Sequence, residues 1–205
     1  MNKNLDLLRP QTLALLLAAT AFTTLQATAA VVPIVDGNGK MTGAKNVVVN
    51  GSLYDVEFRD GVFNTLFGEQ NQLGFVAPSE AVATDFSQAL LDTVLVGQFD
   101  DYSYRTLGCE HLAYCMVYTP YLGVPVNTPY PGVWVAAAYN EGLEGGNTPP
   151  NDLIMLTAAH RLNDYANNPA VTYALWSPAA VPVPAAAWLF GSGLIALAAA
   201  RRKLA

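Results

Sequence analysis

The chain has 205 residues, of which 52% are hydrophobic and 13% charged, and a formal net charge of −6. The charge is unevenly held: residues 30–178 carry only Lys40, Lys45, Arg59, Arg105 and Arg161 against fifteen carboxylates, so this stretch stands near −10. A body that acidic excludes nucleic acid as a partner class and works against anionic headgroups. Its length suits one domain with a real core.

Lys3 and Arg9 form a basic start, followed by an apolar core at 13–19 that weakens toward Leu25. Ala27-Thr28-Ala29 fits the small-x-small cleavage rule, which makes residues 1–29 a signal peptide and Ala30 the first mature residue. Asp36-Gly37-Asn38-Gly39 spaces two oxygen donors like the start of a calcium loop. Lys40 and Met41 follow where a third donor is needed, so we read a turn and expect no metal.

Asn50-Gly51 between the apolar stretches 46–49 and 53–58 predicts a β-hairpin, since both turn residues tolerate positive φ. Tyr54, Val56 and Phe58 alternate with Asp55, Glu57 and Arg59, the pattern of a strand packed on one side. Asp60-Gly61 then offers a second turn before Val62 and Phe63. Ser79 caps an amphipathic helix predicted to run to about Leu95, with Val82, Phe86, Ala89, Leu90 and Val94 inward and Gly97 as its stop. Strands are predicted at 114–118, 133–139 and 171–176, with a proline-rich loop over 119–132 and a turn-rich stretch over 141–152. The apolar run 153–162 is read as a short helix. The order β-β-α-β-β-α-β predicts an α+β fold, with a small antiparallel sheet and one main amphipathic helix.

Cys109 and Cys115 are the only cysteines. Outside the cytoplasm such a pair oxidises, so a disulfide closing a small loop is expected rather than a metal site with His111. His111 and His160 are the candidate general bases, with Glu110 or Asp152 as possible carboxylate partners, but neither lies beside a recognisable nucleophile. Ser79, Ser87 and Ser103 occupy no Gly-x-Ser-x-Gly elbow. The paired acids Asp100-Asp101 and Glu141 with Glu144 offer only loose cation binding. Tyr102, Tyr104, Tyr114, Tyr118, Tyr121, Tyr130, Trp134 and Tyr139 crowd one third of the domain, as core or as a surface for sugars or proteins. We expect no catalytic residue and no cofactor.

The last residues carry the strongest signal: Val181-Pro182-Val183-Pro184, then uncharged residues 185–200, then Arg201-Arg202-Lys203. Sixteen helical residues span about 24 Å against a hydrocarbon core of about 30 Å, so flanking residues and snorkelling arginines must complete a crossing. The basic end belongs in the cytoplasm, which puts the preceding domain outside. Gly191-Ser192-Gly193 is read either as a small-residue packing face between membrane helices or as a weak point whose glycines would help a membrane protease unwind the helix.

The tail V-P-V-P-A-A-A-W-L-F-G-S-G-L-I-A-L-A-A-A-R-R-K resembles the PEP-CTERM sorting signal of Gram-negative bacteria. Val183 stands where the motif that names the family has glutamate, and W-L-F-G-S-G-L looks like a recurrent subtype. The resemblance implies that Val181 to Pro184 are the recognition motif, residues 185–200 the anchor and Arg201 to Lys203 the stop. It also implies an exosortase as partner, transient anchoring in the inner membrane with the domain in the periplasm, and placement at the cell surface or in an extracellular matrix, with exopolysaccharide a further partner. The expected organisation is a signal peptide (1–29), an exported domain (30–178) and a sorting signal (179–205), in a non-enzymatic envelope protein. The alternatives are an exported hydrolase acting on extracellular polymer, or a binding module built on the tyrosines.

Overall fold

The computed structural model describes residues 30–68, 75–123, 132–145 and 151–180. The predicted leader with Ala27 and Ala29 lies outside these residues. So do Tyr130, the motif Val181 to Pro184, the apolar run and the basic stop Arg201 to Lys203. No helix among the described residues is long and apolar enough to cross a membrane.

The described residues form an α+β fold on one seven-stranded sheet. Its strands are β1 (Val32–Val35), β2 (Met41–Val49), β3 (Ser52–Arg59), β4 (Tyr114–Gly123), β5 (Gly132–Glu141), β6 (Leu153–His160) and β7 (Val171–Pro178), in the spatial order β1-β2-β3-β7-β4-β5-β6. Two antiparallel meanders, β1-β2-β3 and β4-β5-β6, are joined by the last strand. β7 pairs antiparallel with β3 and parallel with β4. The sheet is therefore larger than the sequence predicts and not wholly antiparallel.

The β2–β3 hairpin forms as expected, with Val49 opposite Ser52 and positive φ at Asn50 (49°) and Gly51 (77°). Ser79 caps the helix α2 (Glu80–Ala89) by accepting the Val82 N–H at 3.4 Å. The α-helical geometry stops earlier than predicted, passing into a π-helical turn over Leu90–Val94 in which Leu95 N–H donates to the Leu90 carbonyl. Ala83, Phe86, Leu90, Val94 and Leu95 bury one helix face against Val47, Val56, Phe58, Val117 and Ala136. Two short helices, α1 (Phe63–Phe67) and α3 (Gln98–Asp101), complete the layers.

The opposite sheet face carries a second, aromatic core. Phe63 and Phe67 of α1 pack with Phe75 on Tyr173, and Tyr165 from the β6–β7 crossover closes on Tyr118 and Tyr173. Arg161, the first residue of that crossover, is almost fully buried; its Nε donates to the Gly132 carbonyl at 2.7 Å and its guanidinium lies 5.7 Å from the Phe63 ring centre.

Two sequence expectations fail. Residues 153–160 are strand, not helix: β6 pairs with β5 without a break from Leu153 opposite Tyr139 to His160 opposite Gly132. An apolar run of this length has no periodicity that separates helix from strand, and the neighbouring strand decides. Residues 119–123 also extend β4 rather than open a loop. Pro120 is tolerated because the recorded ladder with β7 ends at Tyr118 and the pairing with β5 is bulged beyond Pro120.

Candidate functional site

Cys109 and Cys115 form the expected disulfide, with Cα atoms 5.6 Å apart and both residues fully buried. Cys109 also bridges to Ala170, and the Glu110 and His111 N–H groups donate to the Pro169 carbonyl at 2.6 and 2.7 Å. The loop thus ties the start of β4 to the end of the crossover. Replacing both cysteines by serine is expected to cost about 2 kcal/mol, lowering Tm by roughly 4–8 °C in a thermal melt.

The two histidines serve local structure. His111 Nδ1 accepts the Ala113 N–H at 3.3 Å, and its ring lies 4.4 Å from that of Tyr114. His160 Nδ1 accepts the Leu162 N–H at 3.2 Å, while its own N–H donates to the Tyr165 hydroxyl. Among the described residues neither histidine pairs with a carboxylate, since the two ion pairs are Lys40–Glu110 (3.2 Å) and Arg59–Glu57 (2.7 Å). Ser87 donates to the Ala136 carbonyl at 3.0 Å, a packing role, and Ser103 is buried.

In the predicted turn, Asp36 Oδ1 accepts the N–H groups of Asn38 and Lys40 at 2.8 and 2.9 Å. The Lys40 bond foremost holds the Asp36 carboxyl below its usual range. No cluster of three metal-ligating side chains occurs among the described residues. The structure does bring Asp100 toward Asp152, and Asp152 accepts the Glu141 N–H at 2.9 Å. Burial raises the carboxyls of both Asp100 and Asp152.

Asp60 is raised furthest, from 3.8 to about 6, by burial first and then by Asp164 and Glu110, with Lys40 opposing. The unfolded chain releases this proton near the ordinary value, while the folded chain keeps it to about pH 6. Between those limits the folded state binds more protons, so stability falls as pH rises through the window. Asp60→Asn is expected to raise Tm near neutral pH and to change it little at about pH 2.5, below both values, where both states are protonated. Melts of both proteins across that range check the sign.

The tyrosine-rich stretch disperses rather than forming one platform. Tyr118 and Tyr121 are buried, and burial pushes the Tyr118 hydroxyl up to about 12. Tyr114 and Tyr139 are half-buried and stack on each other at 5.1 Å. Tyr102 (37% exposed) and Trp134 (41%) are the open rings among those described. They sit toward opposite ends of β5: Asn140 donates to the Phe99 carbonyl beside the Tyr102 helix turn, whereas Trp134 stands near the strand's start.

One open cleft of about 330 Å³ is lined by Asn38, Gly39, Lys40, Tyr104 and Arg105. It gathers two of the five bases of the acidic middle segment with an aromatic ring and an amide. Lys40 is held by Glu110, and Arg105 donates to the Gln98 side chain at 2.8 Å with its guanidinium 5.1 Å from the Tyr102 ring centre. Sequence reasoning missed this site because its two halves are 65 positions apart; the scarcity of basic residues was the available signal. The cleft presents cationic donors, an amide and a flat ring.

The class defined here is an acidic, disulfide-tied α+β domain on one mixed sheet. No known protein family, curated protein or solved structure matches the chain.

Proposed function

We propose that this is an exported cell-envelope protein, delivered by its leader, held in the inner membrane by its tail, and processed there by an exosortase for placement at the surface or in the extracellular matrix. The observation that carries the reading is the ordered tail of Pro-x-Pro, apolar run and basic triplet at 181–203. The Cys109–Cys115 bridge supports it, because such bonds persist in oxidising compartments. In this reading the domain is a structural or binding element rather than an enzyme. Fractionation with intact-mass analysis, in cells with and without the exosortase, tests it.

A second reading concerns what the placed domain holds. The cleft between Lys40 and Arg105 suits an acidic exopolysaccharide, with Arg105 meeting a sugar carboxylate and Tyr104 a ring face. Arg105→Gln is expected to weaken retention on immobilised polyuronate at least threefold (about 0.7 kcal/mol) while leaving Tm unchanged. Equal retention of both proteins excludes the cleft as the site.

A further inference from the structure

β4, β6 and β7 all run the same way, so their C-terminal ends meet at one end of the sheet. Pro178 lies there opposite Tyr54, three residues beyond the Asn50-Gly51 turn. The same end holds Leu122 opposite Trp134, and His160 opposite Gly132 with Leu162 just beyond. Four large apolar side chains are open at this end: Val48 (45%), Leu122 (55%), Trp134 (41%) and Leu162 (61%). The strand ends themselves bear no exposed charge. The carboxylates close to this end are Asp55, half-buried and accepting the Asn46 N–H, Glu80 and Asp85 of α2, which bond to the Tyr121 hydroxyl and the Asn50 amide, and exposed Asp164 two residues after Leu162.

The far end is the opposite in character. Asp36, Asp60, Glu110, Asp100, Asp101, Glu141, Glu144 and Asp152 all lie in or beside the turns and helices at that end. Val35, Tyr102, Leu112, Leu143 and Leu153 are also exposed there, so the two ends differ in charge rather than in the number of open apolar side chains: these five stand within two residues of Asp36, Asp101, Glu110, Glu144 and Asp152. The net acidity of the domain is therefore concentrated away from the point where the chain leaves the sheet.

We propose that the apolar end is a docking surface for a zwitterionic bilayer, set down on the headgroup layer with Trp134 and Leu162 inserted and the acidic end turned away. The proposal rests on the tail being a membrane anchor. Chain length argues for this occupant. Ala179 is still fixed, its N–H donating to the Leu53 carbonyl at 3.0 Å, and only residues 180–184 separate it from the apolar run. Six steps of extended chain reach at most about 20 Å, so an anchored domain cannot stand clear of the membrane. The headgroup region adds roughly 5–8 Å on each side of the hydrocarbon. Tryptophan and leucine are suited to that layer, and docking by insertion needs no positive charge, which this end lacks.

The test uses the full chain in phosphatidylcholine vesicles with brominated acyl chains, in a Trp188→Phe background that removes the anchor's own indole. The exposed reporters Leu162→Trp at the apolar end and Leu143→Trp at the acidic end are read in chains that also carry Trp134→Phe; the emission of Trp134 itself is the difference between the parent and Trp134→Phe, with Trp176, packed on Phe86, the constant background in every chain. Bromolipid is expected to remove roughly half of the emission from Trp134 and from the Leu162 reporter, and none from the Leu143 reporter. Equal or absent quenching in a chain that floats with the vesicles overturns docking while leaving the anchor intact. Failure to float overturns the anchor reading and this proposal with it. Blue-shifted Trp134 emission that ignores bromolipid and follows protein-to-lipid ratio means that a second copy covers the surface, and overturns it as well.

Discussion

Phe86→Ala is expected to destabilise the domain by about 3–5 kcal/mol, the range for emptying a buried phenylalanine site. Phe86 is 1% exposed and touches the first meander and the joining strand through edge-on contacts, with the Tyr54 and Trp176 rings each 4.7 Å away. Tyr54 belongs to the first meander and Trp176 to the joining strand β7. The next residue, Ser87, is pinned to Ala136 in the second meander. The cavity would therefore open where helix and both meanders meet, with little freedom to collapse. A denaturant titration should show an earlier midpoint with an unchanged slope. A loss under about 1 kcal/mol would mean that the helix is not the element holding this face together.

Gly43→Ala is expected to cost about 3 kcal/mol or more, although only a methyl group is added. Gly43 pairs with Glu57 just before the register of β2 and β3 shifts between Ala44 and Val47. A Cβ there would run into the Val56 carbonyl oxygen, and backbone in the centre of a sheet has no rotamer with which to retreat. Gly37 provides the control: it sits in the exposed β1–β2 turn with nothing within 4 Å of a built Cβ. Gly37→Ala should stay within about 0.5 kcal/mol of the parent in the same titration. Similar effects at both positions would contradict the tight bulge.

These two sites mark the boundary of what the sequence discloses. The β2–β3 hairpin is legible because its information is local: the Asn50-Gly51 turn and the alternation from Tyr54 to Phe58 fix a register that no distant contact overrules. The Ser79 cap and the apolar face of α2 are legible for the same reason. β1 has no such signature, since Val32, Ile34 and Val35 are all exposed on a four-residue edge strand interrupted by Pro33. β6 is worse: LIMLTAAH is compatible with either secondary structure until β5 is beside it. The place of β7 between the two meanders depends on pairings more than a hundred residues apart, such as Val56 with Trp176. No local pattern encodes that.

Function divides along the same line. The disulfide is legible in the only two cysteines of the chain, whereas the Lys40–Arg105 cleft and the polarity between acidic and apolar ends exist only after folding. That polarity sharpens the reading of the composition. A charge near −10 disfavours membrane surfaces if spread evenly, but here the chain leaves the sheet at the end where charge is least.

The central claim is that the two ends of the chain deliver the domain and are then dispensable. Intact-mass analysis of the protein from fractionated cells, with and without the exosortase, tests it most directly. With the enzyme, the account predicts a species recovered at the surface or outside the cell that begins at Ala30, lacks the basic end, and gains two hydrogen masses on reduction. Without the enzyme it predicts an inner-membrane species that retains Arg201 to Lys203. The same mass and the same compartment in both strains would contradict it.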